Sequence, residues 1–254
     1  MQTLAPPHTD IEASPRRVRV MFGGHTIADS QQVKLVFSGP RHFPAYYFPL
    51  ADVRQNLLKE SSRTVEHPGL GSARYWSVEA GGKTATGASW SFPEPVAEAE
   101  GIKDHITFRW NDMDAWFEED DEVFVHPRDP YTRVDVVHSS RHVRVVVDGV
   151  TVVETQRPRL LFETQLPTRY YMPKVDVHLE LLTPSDTHTR CPYKGVASYY
   201  NLNVNGKEYK DFVWYYPAPL PEIPKIENLL CFYNEKVDLY VDGELQERPQ
   251  SPFS

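Results

Sequence analysis

The chain is poor in cysteine: two, Cys191 and Cys231, in 254 residues. A secreted fold of this size more often carries a larger disulfide framework, so a reducing, cytoplasmic setting is expected. Basic charge is also short, with 27 Lys and Arg against 35 Asp and Glu and a formal net charge of -8. Counterion release from a nucleic acid needs a basic face, and none stands out, so no nucleic-acid partner is expected. Long apolar runs are missing too. Stretches such as "VRVVVDGVTVV" are broken by charge and fall far short of the roughly 20 residues that cross a bilayer as a helix, so no membrane span is expected. The opening "MQTLAPPHTDIEASP" has neither the basic start nor the apolar core of a signal peptide and reads as a disordered leader over residues 1–16.

Chemical signatures are equally sparse. The 10 histidines form no i,i+4 pair beside a helical glutamate, and the two cysteines are far apart, so no metal site and no cofactor are expected. The acidic run "FEEDDEVFVHP" (117–127) reads as a solvated hairpin matching "YVDGELQERP" rather than a cation site. A Gly-x-Ser-x-Gly elbow, a phosphate loop and a dinucleotide fingerprint are all missing. Gly71-Ser72 is not followed by the spaced Asp-x-Asp that would hold magnesium for nucleotidyl transfer.

What the chain does have is an internal repeat. "VRVMFGGHTIADS" (18–30) matches "VRVVVDGVTVVET" (143–155), with Gly149 lying 125 positions after Gly24. "YYFPLADV" (46–53) matches "YYMPKVDV" (170–177) at a shift of 124, which then persists through Pro68 and Pro192, Gly71 and Gly195, Trp90 and Trp214, and Phe108 and Phe232. Two tandem copies follow: a first domain over 17–127, a junction over 128–142 and a second domain over 143–254.

Each copy reads as an all-β domain of antiparallel strands with few short helices, a small sandwich or barrel. Asp148-Gly149, Gly23-Gly24, Asn205-Gly206, Gly81-Gly82 and Asp242-Gly243 are two-residue hairpin turns of the kind that need positive φ. Short helices are expected in "LADVRQNLLKES" and "KVDVHLELLTPS", each after a proline. The stretch "YYPAPLPEIPK" (215–225) reads as a tethering crossover.

The sharpest chemical signal is "THTRCPYKGVASYY" (187–200). Cys191 between Arg190 and Lys194 could be activated by those cations, and copy one has His67 and Leu70 in place of Cys191 and Lys194. Cys191 as a small buried residue before a proline-fixed turn is the competing reading. In "TRYYMP", Arg169, Tyr170 and Tyr171 are consecutive, so on a strand the two tyrosines face opposite ways. Tyrosines at a pocket mouth could stack a planar ligand while Arg169 or Lys194 takes an anion, and Tyr193 and Tyr199 extend that candidate lining. Around the junction, Arg133, Asp135 and Arg141 read as a lock of opposite charges between the copies. The alternative there is an anion-binding rim with Arg128, Arg141 and His142.

"YYMPKVDV", "CPYKGVASYY", "FVWYYP" and "LLCFYNEKVDLYVDG" together resemble the domain-of-unknown-function family numbered four-two-seven, which also carries a nucleotidyltransferase-like label. The resemblance covers nearly the whole chain as two tandem copies, with Cys191 to Gly195 its most diagnostic segment, and it brings no activity with it. The reading that follows is a cytoplasmic protein that binds an unidentified small molecule in a Tyr/Lys/Cys pocket of the second domain. The alternatives are a small-molecule transferase or hydrolase using Cys191 with Lys194 or His188 assisting, and a protein-interaction scaffold; a homo-oligomer is possible for any of them.

Overall fold

Alternating apolar residues and paired positive-φ turns build two domains of the same design. The computed structural model describes residues 9–38 and 44–254, and the chain divides into two units, Met1–Asp129 and Pro130–Ser254. The first unit holds β1 (Asp10–Ala13), β2 (Val18–Phe22), β3 (His25–Ser30), β4 (Lys34–Phe37), β5 (Pro44–Pro49), β6 (Leu58–His67), β7 (Gly71–Ala80), β8 (Lys83–Ser91), β9 (His105–Phe108), β10 (Ala115–Glu118) and β11 (Asp121–Val123). The second holds β12 (Val134–His138), β13 (Val143–Val147), β14 (Val150–Thr155), β15 (Arg159–Glu163), β16 (Arg169–Met172), β17 (Leu182–Cys191), β18 (Gly195–Val204), β19 (Lys207–Tyr215), β20 (Leu230–Phe232), β21 (Asp238–Val241) and β22 (Glu244–Leu245).

The sheets repeat strand for strand. A seven-stranded antiparallel sheet runs β1-β4-β5-β9-β8-β7-β6 in the first unit and β12-β15-β16-β20-β19-β18-β17 in the second. A four-stranded sheet runs β11-β10-β2-β3 and β22-β21-β13-β14. Even the irregularities recur, as both β2 and β13 carry a bulge after their second valine, Val20 and Val145. The expected all-β fold in two tandem copies is therefore what forms.

Strand alternation gives each seven-stranded sheet two apolar faces. Tyr46 and Phe48 point toward the four-stranded sheet, where they pack with Val18, Val20 and Trp116. Their neighbour Tyr47 turns to the outer face among Leu70, Phe92 and Ile102. In the second unit Tyr170 and Met172 face the four-stranded sheet, while Tyr171 joins the outer cluster with Trp214, Tyr216 and Ile226. The crossover after β19 supplies Tyr216, Ile223 and Ile226 to that outer cluster, so the proline-rich stretch covers the face the small sheet does not.

Three sequence expectations change. Residues 1–8 of the leader lie outside the described residues, but its remainder is not leader throughout, since Asp10–Ala13 pairs with β4. Four residues flanked by prolines carry no readable period, and the partner strand supplies the order. Likewise, Val134–His138 inside the expected junction is the edge strand β12, paired with β15. The two expected helices shrink to 3-10 turns, Leu50–Asp52 and Gln55–Leu57 in one copy, Lys174–Asp176 and Leu179–Leu181 in the other. Val53 and Val177 stay extended because they bridge to Ala28 and Val153, so pairing overrides the helical pattern. Among the described residues no helix is long and apolar enough to cross a membrane.

The lock between copies loses its premise of buried charge. Arg133 bonds Asp135, two residues further along the chain, at 2.7 Å with its side chain 80% exposed, and Arg141 pairs with Asp242 inside the second unit at 2.7 Å, both half-exposed. Exposed pairs of this kind contribute little. Arg133→Ala is expected to leave the free energy of unfolding within about 0.5 kcal/mol of the parent in chemical denaturation.

The turn tips are more demanding. Gly23 and Gly24 have φ of 57° and 76°, and Asp148 and Gly149 have 47° and 78°, the two left-handed residues of a type I′ turn. In the first unit the Gly23 tip lies against the Gly81 tip, and a Cβ on Gly23 would sit 2.1 Å from the carbonyl oxygen of Ala80. In the second unit side chains make the corresponding contact: Asn205 Nδ2 donates to the Asp148 carbonyl at 3.1 Å, and Tyr209 donates to its carboxylate. Gly23→Ala is expected to destabilise the first unit by at least about 2 kcal/mol through this clash. Gly24→Ala, with open space around it, should cost only about 1 kcal/mol for the left-handed backbone. Equal effects of the two in thermal or urea unfolding would contradict the tip-to-tip contact.

Candidate functional site

The outer face of the second unit's large sheet gathers most of the residues expected to form a site. Arg169 and Tyr171 lie on β16, Tyr199 on β18, and Cys191 and Lys194 bracket the tight turn between β17 and β18, where the Lys194 amide donates to the Cys191 carbonyl at 3.4 Å. Thr189 shares the outer face with Cys191 and its hydroxyl meets the Tyr199 hydroxyl at 2.8 Å. Tyr193 is half-buried in the same turn.

Two expected groups lie elsewhere. Tyr170 faces the opposite side of the sheet, toward the four-stranded layer. Arg141 and His142 stand just before β13, bound to Asp242 and, at 2.7 Å, to Glu154. Alternation also turns His188 and Arg190 away from the Cys191 side of β17, and both are exposed.

Charge is buried here in an unusual amount. The Lys194 ammonium bonds Glu163 at 2.5 Å, with the two side chains only 11% and 7% exposed. Arg169 forms a bidentate pair with Glu235, 2.7 Å for each bond, and these side chains are 7% and 1% exposed. The guanidinium also lies over the rings of Trp214 and Phe253, 5.6 and 5.7 Å from their centroids. Ser251 donates a further bond to Glu235, so residues 251–253 form a strap over this pair. Glu163, Glu235, Trp214, Tyr216 and the strap were not singled out in the sequence. The one signal available was the match of Arg169 to Ala45 and Lys194 to Leu70 between copies, which marks charge gained in copy two.

The electrostatics follow from this packing. Burial raises the pKa of Glu235, but hydrogen bonds from Arg169 and Ser251 outweigh it and hold the carboxyl below its ordinary value. Burial likewise opposes the charge on Arg169, yet the bonds to Glu235 leave its pKa raised. Burial keeps the Tyr171 and Tyr216 hydroxyls protonated, and it pushes the fully buried Cys231 thiol up to about 12. Cys231 is thus inert, whereas Cys191 is half-exposed. Lys194 has three N–H donors, of which Glu163 takes one. The turn therefore offers an ammonium with capacity for a further acceptor beside a half-exposed thiol, while the Trp214 ring meets Tyr171 edge-on beneath the crossover.

The expected acidic run is dispersed by the first unit's fold. Glu118 turns inward to Tyr46 and Arg16, Glu119 accepts from the Arg17 amide at 2.8 Å, and Asp120 pairs with Arg19 at 2.8 Å.

The sequence profile of the family described as a domain of unknown function, DUF427, matches residues 10–119 and again residues 135–243. Comparison with curated proteins finds no match. The two matched segments coincide with the two repeated folds, and the chain belongs to the DUF427 family as a tandem pair of its domains.

Proposed function

We propose that the second domain binds a small anionic molecule beside the turn between β17 and β18, the anion meeting Lys194 next to the half-buried Tyr193 and the half-exposed Cys191. One observation carries this reading: the second unit buries two ion pairs on a face where the first unit builds the same fold without them. Lys194 replaces Leu70, Glu163 replaces Ser38 and Arg169 replaces Ala45, and the corresponding outer cluster of the first unit is Val36, Tyr47, Leu70, Ala73, Tyr75, Phe92, Ala99 and Ile102. Because desolvation consumes most of the Coulomb attraction of a buried pair, an apolar replacement is often as stable. Charges that the fold does not require are then explained by a ligand. Transfer chemistry on Cys191 is the weaker reading, since His188 faces away from the thiol.

The first unit supplies the design of the test. Lys194→Leu with Glu163→Ser copies Leu70 and Ser38 into the second unit, and its melting temperature is expected to match or exceed that of the parent. Native mass spectrometry of the freshly purified full chain should show a bound small molecule in the parent and none in this double variant. A double variant destabilised by more than about 3 kcal/mol would make the pair structural and refute the reading.

Thiol labelling gives a second check. A small alkylating reagent near neutral pH is expected to modify Cys191 at the rim, while Cys231 reacts only after denaturation. Bound ligand should slow the Cys191 reaction. Complete protection of Cys191 in the ligand-free folded chain would remove it from the site.

A further inference from the structure

A cleft lies in a different part of the molecule. It sits at one end of the first unit's large sheet, has a volume of about 560 Å³, and its lining includes Ala13, Lys34, Pro49 to Ala51, Asp104 and His105. The register puts its polar groups on one surface, as Lys34 lies opposite Ala13 on β1 and His105 lies opposite Pro49 on β5. Lys34 and His105 are thus two strands apart, roughly 10 Å at the usual strand spacing.

We infer that this cleft binds a small polyhydroxylated anion, of the sugar-acid or sugar-phosphate class. Lys34 is half-buried, and among the described residues its ammonium meets no carboxylate or hydrogen-bond acceptor, leaving a cation for a ligand anion. His105 Nδ1 bonds the Lys103 carbonyl at 2.7 Å, and because a carbonyl only accepts, Nδ1 is the donor. In the neutral ring Nε2 is then an acceptor suited to a hydroxyl. Asp104 accepts hydroxyl donors as well, and its negative charge disfavours a bare, highly charged anion. Pro49, Leu50 and Ala51 provide an apolar floor for the C–H face of a sugar ring.

The second unit shows why the site belongs to the first. The same positions there hold His138 for Ala13, Arg159 for Lys34, Lys174 for Leu50, Val175 for Ala51 and Leu229 for His105. Arg159 donates to the Arg157 carbonyl at 3.3 Å, and Lys174 lies over the Tyr215 ring at 4.5 Å, so both cations are engaged. Small alanines and an unengaged lysine distinguish the first unit's version.

Calorimetric titration of the full chain with glucuronate, glucose 6-phosphate, glucose and inorganic phosphate tests this. Both sugar anions should bind, and each more tightly than glucose or phosphate alone. Lys34→Ala should weaken binding about tenfold or more. Ala51→Val, a residue the fold accepts at position 175, should abolish binding without lowering the melting temperature. The Lys194→Leu, Glu163→Ser variant should bind the sugar anions like the parent, which keeps this site distinct from that of the second domain. Absence of binding by both sugar anions at about 10 mM would overturn the inference. So would equal binding of inorganic phosphate and glucose 6-phosphate, or undiminished affinity after Lys34→Ala.

Discussion

A seven-stranded antiparallel sheet with apolar side chains on both faces has to be covered twice, and this requirement organises each domain. Antiparallel sheets commonly leave one face to water and alternate polar with apolar residues accordingly. Here β5 and β16 are buried at nearly every position, "YYF" and "RYYM", so solvent on either side would expose aromatic rings. The four-stranded sheet covers one face with its own ladder of valines. The other face is covered by the crossover leading to β9 or β20, which contributes side chains without a hydrogen-bonded layer.

The difference between the two covers explains where polar chemistry is found. Between two sheets, cross-strand register fixes every side chain, and the inner clusters are dominated by valine, phenylalanine and other apolar residues. Under the crossover, spacing is set by loop side chains, so a lysine or arginine can be accommodated when a carboxylate accompanies it. The second unit uses this freedom for Lys194 with Glu163 and Arg169 with Glu235, and residues 251–253 close over the latter pair. The first unit keeps the same face apolar and has its inward-facing carboxylate, Glu118, at the end of β10 in the small sheet, bonded by Tyr46 and Arg16. Duplication has thus left one scaffold carrying two distributions of charge, and each copy serves as the control for the other.

The contacts that hold the fold also recur with changed chemistry. Ser30 donates to Asp52 at 2.5 Å in the first unit and Thr155 donates to Asp176 at 2.7 Å in the second, tying a strand end to the following 3-10 turn. At the hairpin tips, glycine backbones touch in one unit, and the side chains of Asn205 and Tyr209 replace that contact in the other. Such substitutions preserve the geometry while erasing the sequence identity, which is why the repeat is faint away from its turns.

The repeat, the all-β class and the type I′ turns were legible in the sequence because they rest on local rules: period-two alternation, positive φ at Gly, Asn or Asp, and a constant offset. The opposite facing of Tyr170 and Tyr171 follows from the same alternation. The edge strands β1 and β12 were not legible, since four or five residues carry too little pattern and their order comes from the partner strand. The helical reading of residues 50–61 and 174–185 failed for the same reason, as Val53 and Val177 are held extended by bridges to strands more than twenty residues away. For the site, the sequence by itself determined that Arg169, Cys191, Lys194 and the tyrosines were present. Only the tertiary structure decided that Lys194 would be met by Glu163 and Arg169 by Glu235, because burial and long-range pairing join residues 31 and 66 positions apart, a separation across which no local pattern of side chains carries information.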